Sequence, residues 1–423
     1  MAMQDPAAFL RLLFDCAVAE ADPMRMLAQF LPERPAGRVV VVGAGKASAR
    51  MAEAVETAWG PCEGLVITRY GHARPCRGVE IVEAAHPVPD SVGVRASAQM
   101  LALLAGLGAQ DFVLALISGG ASALLCAPVA GVTLAQKQAV TAALLASGAP
   151  IGAMNTVRKH LSRVKGGQLS AAAYPARMLT LMISDVPGDD SAMIGSGPTV
   201  AEASTPAEAL ALLRRWQVPV PRAVIAALSR PSGVIAPGDA RLARVQNVIC
   251  AAPAQSLRAA ARMAGDAGCE VRQLGDALQG EAREVAAAQA ALALRLRDAR
   301  PPDAPPLLLL SGGELTVTRR GQGIGGPNAE FCLAMAIALA GAKGVHAIAC
   351  DTDGVDGAAE VAGALIGPQT LARARGLGLD PAAALADNDA HRFFEAIGGQ
   401  VVTGPTLTNV NDFRAVLIAP IHT

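Results

Sequence analysis

A lysine that follows a short apolar run and two glycines is the first residue with a candidate chemical role. The run Val39 to Val42 leads into Gly43-Ala44-Gly45-Lys46-Ala47-Ser48. A buried strand followed by glycines and a helix places backbone N–H groups at the carboxyl end of the strand, where they favour a bound anion. A cation held there can neutralise charge that develops on a transferred phosphoryl group. Lys46 is therefore a candidate catalytic residue and Gly43 and Gly45 are candidate cofactor-binding residues, the alternative being a surface lysine after an ordinary turn.

Two further glycine turns each follow an apolar run that ends in Ser-Gly-Gly. The first is Ser118-Gly119-Gly120, with Ser122 close behind, and the second is Ser311-Gly312-Gly313-Glu314. Glycine lets the backbone close on a ligand, and serine hydroxyls add hydrogen-bond donors. We predict that both turns bind the phosphates of a cofactor, with a tight turn and a capped helix as the alternative for the first.

Another glycine-rich run, from 321 to 326, precedes Asn328 and Glu330. Four glycines within six residues are typical of a flexible cover over a ligand, so Asn328 joins the cofactor-binding candidates. Helix capping by Asn328, with Glu330 favoured in the first turn by the helix dipole, is the alternative.

A basic block stands out in a chain of low charge. Residues 155 to 167 contain Arg158, Lys159, His160, Arg163 and Lys165 and end in two glycines. These cations either form a solvated face or bind an anionic ligand. We predict that four residues of the block bind substrate, namely Asn155, Arg158, Lys159 and Lys165.

Acidic residues follow two other apolar runs. Asp185, Asp189 and Asp190 come after residues 179 to 183, at the strand end where ligands of open α/β sheets bind. Asp185 or Asp189 could serve as a base or a metal ligand, whereas Asp190 best fits an Asx turn that caps the loop.

Three more acids, Asp351, Asp353 and Asp356, fall within six residues after the run 345 to 350. Clustered carboxylates repel one another unless a cation neutralises them, and Mg²⁺ binds through one or two carboxylates together with substrate phosphates. The three aspartates therefore predict a magnesium site. The alternative is a set of caps for turns and for a helix N-terminus.

The order of elements indicates how these residues are positioned. Short continuous apolar runs alternate with alanine-rich helical stretches, which predicts an α/β fold with parallel sheets buried on both faces. The proline-rich region 216 to 247 separates two such alternations. We therefore predict a Rossmann-like N-terminal domain over residues 1–240 and a smaller α/β C-terminal domain over residues 241–423.

Composition excludes several classes of protein. The 423 residues carry 36 basic and 36 acidic side chains, and this balance argues against nucleic-acid binding. A hydrophobic share of 52% excludes a disordered chain. The eight cysteines are scattered without a CxxC pair, a pattern that is typical of buried thiols in a reducing cytoplasm. The same pattern argues against a zinc site. No signal peptide is expected, because the N-terminus carries Asp5 and Asp15 and lacks a basic region followed by an apolar one. No membrane span is expected, because glycines, serines and a proline interrupt the uncharged segment 112–136.

A nicotinamide cofactor fits the glycine loop poorly. Ser48 stands at the third position of the G-x-G-x-x-G/A fingerprint, and the following strand ends at Arg69 without a ribose-binding acid. Arg69 could accept a 2′-phosphate, so an NAD(P)-dependent reductase remains an alternative.

Taken in order, these segments resemble the glycerate 2-kinase family, whose C-terminal region is the MOFRL domain. The resemblance extends from residue 39 to 412 and is carried by the segments VVGAGKAS, HPVPD, SGGASALL, NTVRKHLSRVKGGQL, SDVPGDD, GSGPT, SGGE, GQGIGGPNAE, DTDGVDG and TGPTLTNVND. It implies two α/β domains with an active-site cleft between them. It also implies phosphorylation of D-glycerate to 2-phosphoglycerate by ATP with Mg²⁺. A small-molecule substrate, no nucleic-acid or membrane partner and a possible homodimer complete the expectation.

The resemblance places the family's catalytic lysine at Lys46 and its acidic loop at residues 351–356. One position departs from the family pattern, because many members have arginine where this chain has Pro327. Arg158, Lys159 or the pair Arg319 and Arg320 could supply the missing charge. Some members of the family carry an older label, hydroxypyruvate reductase. Reduction of hydroxypyruvate with NAD(P)H is therefore the alternative to the kinase reaction.

Overall fold

The structure is a computed structural model that describes residues 5–420. The described α-helices are α1 Pro6–Glu20, α2 Pro23–Met26, α3 Ser48–Trp59, α4 Ser91–Leu104, α5 Ala121–Leu124, α6 Leu134–Ala146, α7 Ile151–His160, α8 Gln168–Ala172, α9 Pro206–Arg215, α10 Arg222–Leu228, α11 Pro253–Asp266, α12 Ala282–Ala299, α13 Pro327–Leu339, α14 Thr370–Gly376, α15 Pro381–Ala386 and α16 Ala390–Ala396. The described strands are β1 Val39–Ala44, β2 Glu63–Arg69, β3 Val79–Ala84, β4 Phe112–Ile117, β5 Arg177–Ile183, β6 Val245–Ala251, β7 Glu270–Gly275, β8 Gly280–Glu281, β9 Leu307–Ser311, β10 Leu315–Thr316, β11 Val345–Asp351, β12 Gly363–Ile366, β13 Gln400–Val401 and β14 Asp412–Ile418.

The described chain divides into two compact units. One is formed by residues 23–250, and the other combines residues 5–22 with residues 251–420. This division differs from the sequence-based boundary at 240/241, because α1 packs on α11 and shares a buried apolar cluster with residues after 250. Helix α1 therefore contributes to the core of the second unit.

The unit of residues 23–250 is built on a six-stranded sheet of order β3-β2-β1-β4-β5-β6. Strands β1 to β5 pair in parallel. Every residue of β1 and β4 is buried, as expected for strands covered on both faces. The predicted Rossmann-like α/β fold with a parallel sheet is confirmed for this unit.

The second unit also has a six-stranded sheet, of order β13-β12-β11-β14-β9-β7. Its pairings are antiparallel except between β7 and β9. The expectation of a parallel sheet was wrong here, because β14, the last strand described, lies between β11 and β9 and runs antiparallel to both. The α/β class itself is confirmed, since α13 packs on β11 and β12.

The uncharged segment that follows Asp111 is not a single span. It forms strand β4, a glycine turn, the short helix α5 and a loop before α6. Within residues 5–420, every helix is too short or too polar to cross a bilayer.

Candidate active site

The glycine loop with Lys46 and the first Ser-Gly-Gly turn lie at the point where the strand order of the parallel sheet reverses. Strands β1 and β4 are neighbours, and Ala44 at the end of β1 pairs with Ile117 at the end of β4. In open α/β sheets, ligands bind outside the carboxyl ends of the strands at this reversal. The fold thereby brings together the Lys46 loop and the Ser118-Gly119-Gly120 turn, which were identified separately in the sequence.

Backbone contacts hold the two loops against each other. The N–H of Lys46 donates to the carbonyl oxygen of Gly119 over 2.8 Å. A Cβ atom on Gly45 would lie 2.0 Å from the Ser118 Oγ, and the φ of Gly45 is +142°. Only glycine fits at this position, so Gly45 is required by the packing of the first loop on the second.

The Cγ atom of Lys46 lies beside the second loop. Gly120 has a φ of +82°, and a Cβ there would lie 3.2 Å from Lys46 Cγ and 3.1 Å from His86 Cδ2. Lys46 is half-buried, and the hydroxyl of Thr68 donates to the carbonyl oxygen of Gly45 over 3.1 Å. The structure thus places Cγ of the candidate catalytic lysine beside the predicted phosphate-binding turn.

The Ser118 hydroxyl, in contrast, points into the protein. It accepts the N–H of Ala47 over 3.0 Å, and the Ser48 hydroxyl 3.3 Å away donates to the Leu116 carbonyl. Ser118 is fully buried. Its hydroxyl therefore braces the loop, and the predicted contact of this group with phosphate is not supported. Gly43 likewise serves packing, since a Cβ there would lie 2.5 Å from the Leu116 carbonyl oxygen.

Ser122 belongs to a polar network that joins three predicted segments. Its hydroxyl lies 2.8 Å from that of Ser196, and the Ser196 hydroxyl donates to Asn155 Oδ1 over 3.1 Å. Arg158 also donates to Asn155 Oδ1, over 3.4 Å. Residues 195–197 all have φ near +60°, the glycine-rich turn that the sequence contains at GSGPT. The structure thus brings together Ser122, a predicted cofactor-binding residue, and the predicted substrate-binding residues Asn155 and Arg158.

The two predicted substrate-binding lysines lie elsewhere. Lys159 is buried in an ion pair with Glu202, and this contact together with hydrogen bonds from Ser204 lowers the pKa of Glu202, although burial alone would raise it. Lys165 is fully buried and donates to the carbonyl oxygens of Leu125 and Gly195 over 3.1 and 3.4 Å. Each ammonium group is already bonded to acceptors within the protein, so direct contact with a substrate is corrected to a structural role for both. Lys159 is also excluded as a substitute for the arginine missing at Pro327.

The acids after β5 have different environments. Asp190 accepts the N–H of Ala192 over 2.9 Å, which confirms the Asx-turn interpretation. Asp189 has a φ of +55°, and its Oδ1 is buried without a hydrogen bond from any described residue. Asp185 is half-buried in the same loop. A buried carboxylate oxygen without a hydrogen bond is unusual, and it is what we expect where the carboxylate binds a ligand. Asp189 shows this feature.

In the second unit, the other Ser-Gly-Gly turn is also held by contacts with neighbouring segments of the protein. The Ser311 hydroxyl accepts from Gln289 over 3.3 Å, and both groups are buried. Gly313 has a φ of +97°, and a Cβ there would lie 2.2 Å from the Leu278 nitrogen. Gly312 donates its N–H to the Gly275 carbonyl over 2.8 Å, whereas Glu314 is exposed. Ser311 thus repeats the internal role of Ser118.

Asn328 and Asp356 belong to a buried network at the start of α13. Asp356 Oδ1 accepts the Asn328 N–H over 3.0 Å, and Asp356 Oδ2 accepts the Ala329 N–H over 2.8 Å. The side-chain amide of Asn328 donates to Asp412 Oδ1 over 2.8 Å. Asp356 therefore caps the helix from a distant loop, and Asn328 is held by two carboxylates.

Arg414 connects this network with the Ser-Gly-Gly turn of the same unit. It donates to Asp412 Oδ2 over 2.9 Å and to the carbonyl oxygens of Gly312 and Gly313. Burial raises the pKa of Asp412 to about 6, because removing the carboxylate from water outweighs its stabilisation by Arg414 and Asn328. Asp412 closes the TGPTLTNVND segment of the resemblance, whereas Arg414 was not singled out, because the sequence shows it only as one charge inside an apolar strand.

The three aspartates predicted to bind Mg²⁺ do not fit a shared metal site. Both oxygens of Asp356 accept helix N–H groups, and Oδ2 also lies 3.1 Å from His391 Nε2. Asp351 and Asp353 each accept a backbone N–H two residues onward, over 2.9 and 2.8 Å. In the part of the chain that the structure describes, no group of three histidine, cysteine, aspartate or glutamate side chains is placed to hold a metal ion. The alternative of turn and helix caps is the better description.

Comparisons with known proteins extend over the whole chain. Residues 9–229 match a family described as "Domain of unknown function (DUF4147)", and residues 307–412 match the MOFRL family. A relative from Agrobacterium vitis, named "Putative hydroxypyruvate reductase", is 52% identical over 97% of this chain and 94% of its own length. The "D-glycerate 2-kinase" of Thermotoga maritima is 36% identical over 98% of this chain and 100% of its own length.

A solved structure agrees with these matches. The crystal structure of glycerate kinase from Thermotoga maritima superposes with a TM-score of 0.85 at 35% identity, covering 96% of this chain and 98% of that one. The shared fold, the MOFRL region and the Lys46 loop at the sheet reversal agree with the resemblance found in the sequence. The chain belongs to the glycerate 2-kinase family, and it is a kinase.

Proposed function

We propose that the protein transfers the γ-phosphoryl group of ATP to the 2-hydroxyl of D-glycerate, giving 2-phosphoglycerate and ADP. The observation that carries this proposal is the position of Lys46 beside Gly120 at the reversal of the parallel sheet. A fixed ammonium group at a glycine turn is suited to stabilise charge on a phosphoryl group in transfer. The relatives named as glycerate kinases support the choice of acceptor.

The surrounding residues suggest how the substrates are positioned. The backbone of the turn Gly119-Gly120 binds ATP phosphates. Arg158, held by Asn155, meets the carboxylate of glycerate, and Asp189 with its unbonded oxygen accepts the proton of the attacking hydroxyl. Positioning and electrostatics then supply most of the rate. The expectation that residues of both units act on one nucleotide stays a prediction.

Magnesium enters this proposal only with the nucleotide. Because Asp351, Asp353 and Asp356 do not form a shared site, we assign no step to a metal held by these residues. ATP is supplied as its magnesium complex in the experiment below.

Reduction of hydroxypyruvate is the second candidate, because two relatives from Agrobacterium vitis carry that name. The geometry of the glycine loop counts against it. Helix α3 begins at Ser48, whose hydroxyl is bound to the Leu116 carbonyl, and β2 ends at Arg69 without the acid that binds the ribose of NAD.

An assay with two pairs of substrates decides between these functions. Purified protein is incubated with D-glycerate and MgATP, and separately with hydroxypyruvate and NADH or NADPH. Enolase converts 2-phosphoglycerate directly, whereas 3-phosphoglycerate requires a mutase first, so coupling with enolase alone identifies the product. We expect turnover only in the ATP reaction and signal with enolase alone. Formation of 3-phosphoglycerate would refute the regiochemistry, and oxidation of the nicotinamide would favour the reductase.

A further inference from the structure

A buried lysine on α6 has none of the partners that buried cations require. Lys137 shares one face of the helix with the buried residues Val140 and Leu144, and it is only 5% exposed. Its Nζ makes no hydrogen bond of normal geometry with any residue from 5 to 420. Buried ammonium groups are rare unless they are paired.

The neighbours of Lys137 are also basic. Burial lowers the pKa of Lys137, and the nearby charge of Arg158 lowers it further, while the Cys126 thiol offsets only part of this effect. Burial lowers the pKa of Lys165 well below its usual range, and the charges of Lys137 and Arg158 add to that shift. Burial alone lowers the pKa of Arg158. No carboxylate of the described chain contributes to these shifts.

This basic cluster of Lys137, Arg158 and Lys165 borders the polar network at the start of α5. Lys165 donates to the Gly195 carbonyl, and the next residue is Ser196, which bonds Ser122 and Asn155. Arg158 shares the Asn155 acceptor and is partly exposed, so one side of the cluster reaches solvent. The cluster therefore stands next to hydroxyl and amide groups that can complete the coordination of an anion.

We propose that Lys137 and Arg158 form an anion site that binds the carboxylate of the hydroxy-acid substrate. This choice of ligand rests on the proposed function. A compact anion supplies the negative charge that the cluster lacks, and it permits Lys137 to remain protonated inside the protein. Lys165 is a positioning residue, because its ammonium group joins the backbone of residues 125 and 195. A phosphate group has the same charge and similar oxygen donors, and the experiment separates the two sources.

The experiment measures binding without turnover. The wild type and the Lys137→Met variant are titrated calorimetrically with D-glycerate, with inorganic phosphate and with ATP. Lys343→Met, at an exposed site, is the matched control. We expect the affinity for D-glycerate to fall about tenfold or more in Lys137→Met, as for loss of a charged hydrogen bond, with ATP binding unchanged. A fall for phosphate or ATP alone would refute the carboxylate and assign the site to phosphate, and unchanged binding of all three would overturn the anion site.

Folding of the variant does not limit this test. Methionine removes an unpartnered buried charge at nearly constant volume, so we expect an unchanged or higher Tm. If Lys137→Met were insoluble, Arg158→Gln at a partly exposed position gives the same comparison. Because D-glycerate and phosphate are titrated without a reaction, a failure of the kinase assay leaves the binding result interpretable.

Discussion

At the scale of single residues, the five lysines of this chain have clearly different environments. Lys46 is half-buried beside a glycine turn, and Lys343 is exposed. The other three are buried. Lys159 pairs with a carboxylate and Lys165 with two carbonyl oxygens, whereas the Lys137 Nζ has no hydrogen-bond partner among residues 5–420. Since Lys46 is only half-buried and lies beside a glycine turn at the sheet reversal, it is the residue suited to act on a phosphoryl group.

Replacement of Lys46 by alanine tests its role directly. We expect kcat of the glycerate kinase reaction to fall about a hundredfold to a thousandfold, which is the range for removal of one group that stabilises transition-state charge. The unfolding transition should be nearly unchanged, because the side chain is half-buried. Lys343→Ala serves as the control with normal kinetics. Near-normal kcat in Lys46→Ala would remove this lysine from the mechanism.

The pH dependence of stability should report on His391. Burial lowers the pKa of His391, but contact with Asp356 outweighs burial and raises it above the ordinary value of about 6.5. Folding then takes up a proton, so the stabilisation is complete below pH of about 6.5 and is lost as pH rises through the higher folded pKa. We expect the stability gap between wild type and His391→Gln to shrink over this range in urea unfolding.

His160 provides a control of opposite sign. Its ring lies between the hydroxyls of Ser232 and Ser204, and burial lowers its pKa. Protonation therefore opposes folding, and the gap between wild type and His160→Gln should widen as pH rises through the pKa of the unfolded chain. Slopes of the same sign for the two variants would contradict one of the two assignments, and two slopes of zero would contradict both.

Sequence patterns pointed to candidate residues that can be recognised from their neighbours in the sequence. They missed roles that depend on contacts formed only in the folded protein. Lys46 is visible because it follows a strand and two glycines. Ser118 looks the same whether its hydroxyl faces a ligand or the Ala47 N–H, and only the fold separates these cases. Lys137 has a visible signal, a cation at helical spacing from Val140 and Leu144, but its lack of a partner requires coordinates.

At the scale of elements, alternation of apolar runs and helices was sufficient to predict that the first sheet is parallel, but the reversal of strand order between β1 and β4 came from the structure. It was insufficient for the second sheet, because buried strands have continuous apolar sequences whether their neighbours run parallel or antiparallel. The pairing of β14 with β11 and β9 joins segments far apart in the chain. No local pattern encodes that register.

An ion pair between α12 and α13 should contribute strongly to the second unit. Arg283 donates to Glu330 Oε1 over 2.9 and 2.6 Å, and Glu330 is fully buried with Asn388 on its other oxygen. Arg283→Met leaves this carboxylate without its cation, so we expect a loss of about 3–5 kcal/mol in the free energy of unfolding. Urea denaturation measures the change.

The exposed pair of Arg241 and Asp239 is the comparison for this prediction. Its two atoms are 2.7 Å apart, but the arginine side chain is 49% exposed, so solvent screens the attraction. Arg241→Met should cost less than about 1 kcal/mol. Similar losses for the two arginine variants would mean that burial does not control the strength of these ion pairs.

At the scale of the whole molecule, the described segments 5–22 and 251–420 belong to the same compact unit. Helix α1 places Phe9, Leu10, Leu13 and Phe14 in a cluster with residues from β9, β11 and β14. The sequence-based boundary missed this arrangement. The apolar face of an amphipathic helix predicts that the helix is packed on a core, but it does not indicate which sheet forms that core. In the order of the chain, residues 23–250 are thus inserted between α1 and the later residues with which α1 forms a core.

Removal of the Phe14 side chain tests this organisation. Phe14 is fully buried, with its ring centroid 5.9 Å from that of Phe413 in β14. Phe14→Ala should cost about 3–5 kcal/mol through lost burial and the cavity left behind. Because the lost contacts belong to residues 5–22 and 251–420, amide hydrogen exchange should quicken in β9, β11 and β14 while β1 and β4 keep their protection. Leu12→Ala, at a site 51% exposed, should leave both sheets unchanged. Faster exchange in β1 and β4 with a protected β14 would assign α1 to the parallel sheet and restore the simple division into an N-terminal and a C-terminal half.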